Sequence, residues 1–231
     1  MLRAIIFDFD GVIADSERAH FEAFRRVLEA EGIFLDWRAY TESYLAMDDR
    51  RCFTTALTRQ GRVATPEVVT ALSRQKAEVF QTLTRDGLVL MPGVVDLVPR
   101  AAARYPLAMA SGALRREIVP VLEGAKLDRF FRVIVSAEEV THGKPAPEAF
   151  QTALARLNAE SGRPGGPIRE AECLVIEDSV HGIEGAHRAG MKCLAVATSY
   201  PLAALEQADL VVKNLAKVDL DRLPALFQRE G

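Results

Sequence analysis

Hydrophobic residues along this chain change their spacing twice, and the changes divide it into three stretches. The run Ala4–Phe7 is continuously apolar, which is typical of a buried strand. From Glu17 to Glu31 apolar residues recur at helical spacing, and Gly32 provides a stop signal. Residues 36–86 continue in helical segments and contain no strand-like run. We therefore expect a helical block, residues 16–87, inserted directly after the first strand.

The remainder of this block is expected to hold three further helices. Pro66, preceded by Thr65, is a strong helix-start signal, because the fixed φ of proline suits the first turn and threonine can cap it. The predicted segments are residues 41–46, 50–60 and 66–84. Asp15 and Ser16 stand where the block begins, and we expect them to act as a hinge and a helix cap, not in catalysis.

Beyond residue 88, short apolar runs alternate with helical patterns, and this alternation predicts βαβ units and a parallel sheet. The predicted strands are 107–110, 133–135, 173–176, 194–197 and 210–212, and the predicted helices are 94–105, 115–122, 147–157 and 182–189. Residues 161–167, rich in glycine and proline, predict a loop. The pattern therefore indicates an α/β core, residues 1–15 and 88–231, with an all-helical domain, residues 16–87, inserted into it.

Composition and charge are ordinary for a globular protein and exclude some classes of partner. Of the 231 residues, 49% are hydrophobic and 26% are charged, with a formal net charge of -3. This balance offers no basic surface for nucleic acid. No apolar run approaches the roughly 20 residues that a helix needs to span a bilayer. We expect neither a nucleic-acid nor a membrane partner, and the pattern fixes no oligomeric state.

The cysteines and the amino terminus bear on the compartment. Cys52, Cys173 and Cys193 are widely separated and form no C-x-x-C pair, so buried, reduced thiols are expected. The first strand begins at Ala4, which leaves no room for a signal peptide. We therefore expect a cytoplasmic protein.

Polar residues follow most of the predicted strands of the core. These residues are Asp8, Asp10, Ser111, Lys144, Glu177 and Asp178. They should converge, because the carboxyl ends of parallel strands meet at one edge of the sheet. Paired carboxylates beside a buried strand require a positive partner, and carboxylates with few histidines suit a hard cation such as Mg²⁺. A lysine and a hydroxyl beside that cation suit an anion with several oxygens, and phosphate fits this description.

In these residues the chain resembles the haloacid dehalogenase (HAD) superfamily, in the branch of β-phosphoglucomutase and phosphoglycolate-phosphatase-like enzymes. The four family motifs occur in order: Asp8-Phe9-Asp10-Gly11-Val12, Ala110-Ser111-Gly112, Lys144-Pro145 and Glu177-Asp178-Ser179. The resemblance covers residues 3–215. It implies a doubly wound, Rossmann-like parallel sheet core with an inserted all-helical cap domain.

The resemblance also implies roles for the acidic residues. Asp8 would be the nucleophile that forms an aspartyl-phosphate. Asp10 would protonate the leaving alcohol and then activate water. The cofactor would be Mg²⁺, held by the Asp8 carboxylate, the Asp10 backbone carbonyl and Asp178. Glu177 would lie beside the metal or reach it through water.

By the same resemblance, Ser111 and the backbone N–H groups of Gly112 and Ala113 would bind the phosphoryl oxygens. Lys144 would neutralise phosphate charge and keep Asp8 ionised. Dehalogenases of this superfamily lack an aspartate two residues after the nucleophile and need no metal. Since Asp10 is present, the resemblance indicates phosphoryl transfer and not dehalogenation.

Specificity is expected to come from the helical domain. His20, on its first helix, and Arg50, near the place where relatives carry a phosphate-binding arginine, are the candidate substrate residues, with Arg51 as a second choice for the arginine. Lys76 has many polar neighbours in its helix, and we expect it to be solvated. The aromatic residues Phe21, Phe24 and Phe80 are expected in the core of this domain.

Three functions remain open. The favoured one is an Mg²⁺-dependent phosphatase that acts on a small phosphorylated metabolite, for which we expect a sugar phosphate. A phosphosugar mutase would use the same aspartyl-phosphate, but Tyr44-Leu45-Ala46-Met47 lacks the lysine that β-phosphoglucomutases carry there. A catalytically silent binding protein on the same fold has no need of all four motifs together.

Overall fold

The computed structural model describes residues 1–45, 47–84, 87–159 and 165–228. It divides the chain into two compact units, one formed by residues 1–15 and 88–231 and the other by residues 16–87. We call them the core unit and the helical unit.

The core unit is built on a sheet of six parallel strands in the order β5-β4-β1-β6-β7-β8. Its strands are β1 (Ala4–Phe7), β4 (Leu107–Ala110), β5 (Phe131–Val135), β6 (Cys173–Glu177), β7 (Lys192–Val196) and β8 (Leu210–Val212). β1 lies between β4 and β6, and all four of its residues are buried. A separate antiparallel pair, β2 (Ala14–Asp15) and β3 (Val89–Leu90), joins the two chain segments where the helical unit is inserted.

Helices cover both faces of this sheet. They are α5 (Val94–Ala102), α6 (Arg115–Gly124), α7 (Glu148–Ala159) and α8 (Val180–Arg188). Alternate residues of β1 point to opposite faces: Ile5 and Phe7 pack with α5 and α6, whereas Ala4 and Ile6 pack with α7 and α8. The predicted doubly wound α/β fold with a helical insert is therefore confirmed.

The described residues of the helical unit form four helices around an apolar core of their own. They are α1 (Glu17–Ala30), α2 (Trp37–Ser43), α3 (Asp49–Arg59) and α4 (Pro66–Leu83). Phe24, Leu28, Tyr40, Phe53, Leu57 and Leu72 are buried together between them. As predicted, Thr65 caps α4 by accepting a hydrogen bond from the backbone N–H of Val68. Phe80 is buried, and Phe21 is partly buried against the core of this unit.

One prediction about local structure was wrong, and a second, Ser16 as the cap of α1, was right in position only. The helix expected over 41–46 is α2, which begins at Trp37 because Asp36 caps it by accepting a hydrogen bond from the N–H of Ala39. Ser16 precedes α1, but its side chain makes no capping hydrogen bond. The end of the first predicted segment, Ala46, and most of the predicted loop, residues 161–164, fall outside the described residues.

The cysteine prediction is confirmed, because Cys52, Cys173 and Cys193 are all buried and free. Burial raises the pKa of each thiol. In the portions of the chain that the structure describes, no helix has the length and apolar character required to cross a membrane.

Gly93→Ala should destabilise the core unit more than a matched glycine substitution. Gly93 has φ +94°, and a Cβ there would lie 2.2 Å from the backbone nitrogen of Ala216. Gly190→Ala is the control. Gly190 also has a positive φ, +77°, but a Cβ there would clash with nothing, because its nearest neighbour, Glu170 Cβ, would be 3.5 Å away. In both variants the free energy of unfolding should fall by about 1–2 kcal/mol, because alanine is strained in a left-handed backbone conformation. Overpacking should cost Gly93→Ala about 1–3 kcal/mol more in urea unfolding. Equal stability of the two variants would contradict this account.

Candidate active site

The predicted chemistry-bearing residues gather at the carboxyl edge of the sheet. Asp8 follows β1, Ser111 follows β4, and Glu177 with Asp178 ends β6. These strands are neighbours, since β1 pairs with both β4 and β6. Lys144 enters from the connection between β5 and α7. The βαβ topology thus brings residues more than 160 positions apart to one edge.

Lys144 forms ion pairs with two buried carboxylates. Its Nζ lies 2.7 Å from Asp8 Oδ1 and 2.6 Å from Glu177 Oε1. The side chain of Lys144 is 14% exposed, that of Asp8 8%, and that of Glu177 is fully buried. A buried lysine is tolerable only with such partners, because desolvating an unpaired charge costs several kcal/mol. Lys144 is therefore locked against Asp8 by a second, deeper acid.

Glu177 is held by the start of α8. Its Oε2 accepts hydrogen bonds from the backbone N–H groups of Asp178 and Ser179, both at 2.7 Å, and from the Ser179 hydroxyl at 2.9 Å. A Cβ at position 182 would fall 1.8 Å from the carboxylate carbon of Glu177, so Gly182 leaves the space that this acid occupies. Both oxygens of Glu177 are thus engaged by groups of the protein.

Asp178 is bound to the segment that follows β7. The hydroxyl of Ser199 donates a short hydrogen bond to Asp178 Oδ2, and Thr198 Oγ1 lies 3.3 Å from the same oxygen. Thr198 Oγ1 also donates to the carbonyl of Gly11 at 2.7 Å. Gly11 has φ +67°, and a Cβ there would lie 1.8 Å from Asp178 Oδ2. The loop after β1 therefore passes so close to Asp178 that no residue with a Cβ fits at position 11.

The acid cluster has the composition of a site for a hard cation. Ligand oxygens of Asp8, Glu177 and Asp178 all lie within 4.8 Å of one another, and all three residues are buried. The donors are carboxylate oxygens only, which suits Mg²⁺ better than a soft metal. Three clustered acids with Lys144 as the basic partner of two of them leave an excess of negative charge that a divalent cation would neutralise. The donor set therefore fits the cofactor that the sequence predicted.

The pKa values of Asp8 and Lys144 also indicate that this cluster favours a further positive charge. Burial, followed by repulsion from Glu177 and Asp10, raises the pKa of Asp8 to about 7, although Lys144 acts in the opposite direction. Burial disfavours the charge of Lys144, but the carboxylates of Asp8 and Glu177 outweigh it and raise its pKa. A cation among these acids would act on Asp8 as Lys144 does and favour its ionised form.

The remaining predicted core residues lie on the neighbouring loops. Asp10 is partly buried in the turn after β1, where Phe9 accepts backbone hydrogen bonds from residues 12–14. Ser111 is buried at the end of β4, and its Oγ accepts a hydrogen bond from the N–H of Ala113 at 3.0 Å. Gly112 is exposed between them. The order of strands places this turn beside the one that carries Asp8 and Asp10.

The candidate residues of the helical unit differ in their surroundings. His20 on α1 is partly buried, and its ring stacks on Phe80 with the centroids 4.3 Å apart. Arg50 is exposed on α3. The expected solvation of Lys76 was wrong, because this residue is only 4% exposed. Its Nζ lies 2.8 Å from His20 Nδ1 and 2.9 Å from Asp49 Oδ1, and the rings of Phe24 and Phe80 cover it.

Three polar residues of these clusters were not singled out in the sequence. Thr198 and Ser199 directly follow the strand pattern that ends at residue 197, so their position at the same sheet edge was a usable signal. Asp49 is the partner of the buried Lys76. No local signal identified it, since the contact joins residues of two different helices, α3 and α4.

A family model described as haloacid dehalogenase-like hydrolase matches residues 5–196. The chain belongs to this family, and the resemblance found in its motifs is confirmed. A phosphorylated carbohydrates phosphatase of Thermotoga maritima is 31% identical over 202 residues, which are 83% of each chain. Its name agrees with the predicted enzyme class, a phosphoric monoester hydrolase.

Solved structures agree with the fold. CbbY from Rhodobacter sphaeroides, in complex with phosphate, has a TM-score of 0.78 and 26% identity, with 94% of this chain and 96% of that chain covered. β-Phosphoglucomutase from Clostridium difficile has a TM-score of 0.82 over 98% and 97% of the two chains. Its identity is 22%, so this likeness concerns the fold alone.

Lys144→Met should destabilise the core unit strongly in the presence of EDTA. Removing the ammonium group of Lys144 leaves the buried carboxylates of Asp8 and Glu177 without a positively charged partner, and breaking a buried ion pair in this way costs about 3–5 kcal/mol. Lys192→Met is the control, because Lys192 is 46% exposed and pairs with Asp209 at the surface. That loss should be about 0–1 kcal/mol. Denaturant unfolding measures both, and similar losses would show that the buried pair is not what Lys144 stabilises.

Proposed function

We propose that the chain is an Mg²⁺-dependent phosphatase that hydrolyses a small sugar phosphate through an aspartyl-phosphate on Asp8. The observation that carries the proposal is the carboxylate of Asp8, held 2.7 Å from Lys144 within a cluster of three buried acids. A carboxylate that is fixed beside a cation and a metal site is suited to attack phosphorus. Phosphoryl transfer depends mainly on positioning and charge neutralisation, and this cluster can supply both.

In the first step, a carboxylate oxygen of Asp8 would form a bond to phosphorus as the bond to the leaving sugar oxygen breaks. Asp10, protonated at this stage, would give its proton to that oxygen. In the second step, Asp10 would take a proton from water, which attacks the phosphorus and releases Asp8 and inorganic phosphate. Two carboxylates thus divide nucleophilic and acid–base work between them.

The residues that would hold Mg²⁺ are the Asp8 carboxylate, the Asp10 carbonyl and Asp178. When bound, the cation would neutralise charge on the transferring phosphoryl group. Glu177 is engaged on both oxygens by Lys144 and the start of α8, so its main part would be to hold Lys144. Any contact of Glu177 with the cation would run through water.

Phosphate would be bound by Lys144, Ser111 and the N–H group of Gly112, since the N–H of Ala113 already donates to Ser111 Oγ. Lys144 supplies a fixed positive charge, and the turn after β4 supplies a hydroxyl and this backbone donor. On the helical unit, we propose His20 and Arg50 as substrate residues. Arg50 is exposed and can meet an anion from solution, whereas His20 is oriented by Lys76 and Phe80.

Similar proteins and the chemistry of the site both support a sugar phosphate as the substrate. The Thermotoga relative is named for phosphorylated carbohydrates, and the phosphate-bound CbbY shares the fold at 26% identity. We therefore place hexose and pentose monophosphates first. A panel of these compounds with Mg²⁺ should release inorganic phosphate, and EDTA should stop the release. A panel that yields no phosphate with any metal would overturn the proposal.

The same panel separates the phosphatase from a mutase. A mutase would convert a hexose 1-phosphate into the 6-phosphate in the presence of a trace of bisphosphate and would release little phosphate. We expect phosphate release to exceed isomerisation for each sugar. Product analysis by ³¹P NMR measures both, and isomerisation as the dominant outcome would assign the chain to the mutases.

Asp8→Asn should lower turnover by about a thousandfold or more, since loss of a nucleophile removes the covalent route. Asp96→Asn is the matched control, because Asp96 is an exposed aspartate on α5 of the same unit and the same isosteric change should leave turnover unaltered. Circular dichroism should show both variants folded. Near-normal turnover in Asp8→Asn would contradict the covalent mechanism.

A further inference from the structure

The segment after β7 joins two loops of the proposed metal site. Ala197 and Thr198 anchor it to the sheet, because their N–H groups donate to the carbonyls of Val212 and Val196, each at 2.9 Å. From this anchored position, the side chains of Thr198 and Ser199 reach Gly11 and Asp178. Gly11 follows Asp10, whose carbonyl is a proposed ligand, and Asp178 is a second proposed ligand.

The two hydroxyls divide these contacts. Thr198 has a single hydroxyl proton, and its shortest contact is the one to the carbonyl of Gly11, at 2.7 Å compared with 3.3 Å to Asp178 Oδ2. That proton is therefore assigned to Gly11. Ser199 then supplies the hydrogen bond to Asp178 Oδ2. A hydroxyl that holds one oxygen fixes the plane of the carboxylate, and thereby the direction of its other oxygen.

The hydrogen bond from Ser199 to Asp178 is formed in a confined, buried environment. Asp178 is 5% exposed, and its Oδ2 lies where a Cβ of residue 11 would be. The carboxylate is therefore confined by Gly11 on one side and held by Ser199 on the other. If the hydroxyl were removed, the backbone would still confine the acid, but one donor that orients it would be gone.

We infer that Thr198 and Ser199 are positioning residues for the metal: Ser199 orients the Asp178 carboxylate, and Thr198 fixes the loop that carries Asp10. The inference rests on the metal site of the proposed function. Groups that orient metal ligands in this way set affinity and selectivity, because a ligand that is free to rotate must be ordered when the metal binds. Mg²⁺ demands a near-ideal octahedron, whereas Ca²⁺ accepts looser geometry.

Isothermal titration of MgCl₂ into metal-free protein tests the inference without a substrate. We expect Ser199→Ala to bind Mg²⁺ about 10–100-fold more weakly than the wild type, and Thr198→Val about 10-fold more weakly. Ca²⁺ affinity should fall less than Mg²⁺ affinity in both variants. Ser199→Thr and Thr198→Ser keep the hydroxyl and should restore binding.

Two substitutions in the helical unit serve as matched controls. The hydroxyls of Ser73 and Thr58 each donate a hydrogen bond to a backbone carbonyl of their own helix, at 2.8 Å and 2.7 Å. Ser73→Ala and Thr58→Val should leave Mg²⁺ affinity unchanged. Melting temperatures in EDTA identify any variant that is merely unstable, since a purely structural role would lower them without changing the ratio of Mg²⁺ to Ca²⁺ affinity.

The outcomes separate this inference from the proposed function. Wild-type affinity for Mg²⁺ in folded Ser199→Ala and Thr198→Val would overturn the inference and leave the proposed function standing. Equal losses in Ser199→Ala and Ser199→Thr would also overturn it, because the hydroxyl would then not be the cause. A wild-type protein that takes up no Mg²⁺ would overturn the metal site itself, and the inference with it.

Discussion

The ion pairs of Lys144 with Asp8 and Glu177 are the interaction on which the carboxyl edge of the sheet depends. Three acids meet where the strands end, and in a dry environment they would repel one another and be protonated. Lys144 makes two of them tolerable at once, at 2.7 Å and 2.6 Å. Because Glu177 is in turn held by the N–H groups at the start of α8, the lysine is fixed by the core of the sheet and not only by its own loop.

This electrostatic arrangement constrains the backbone around it. Gly11 and Gly182 lie against carboxylates, and at each of them a Cβ would fall 1.8 Å from an atom of Asp178 or Glu177. These glycines are therefore required by close approach, and at Gly11 also by a positive φ. The acids occupy space that a side chain at position 11 or 182 would otherwise fill.

Much of the fold followed from the sequence because the signals were local and strong. The strands at 107–110 and 210–212 have the predicted bounds, since continuous apolar runs are typical of the strands of a parallel sheet. The first half of the helical unit was harder. α2 begins at Trp37, and its start depends on an aspartate cap that a search for apolar periodicity does not weigh. The pair β2–β3 has two residues in each strand and forms only because distant segments meet.

The site shows the same division between local and distant information. Acids, lysine and serine at strand ends were recognisable, because few reactions need that combination at one edge. Lys76 was misjudged, since its burial arises from His20 on α1 and Asp49 on α3, which no window along α4 contains. Thr198 and Ser199 were overlooked for a different reason: their place after a predicted strand was a signal, but hydroxyl residues are common in loops, and their contacts with Asp178 are what set these two apart. A sequence motif therefore identifies the charged residues of the site, whereas the residues that orient those charged side chains are recognised with certainty only in the folded structure.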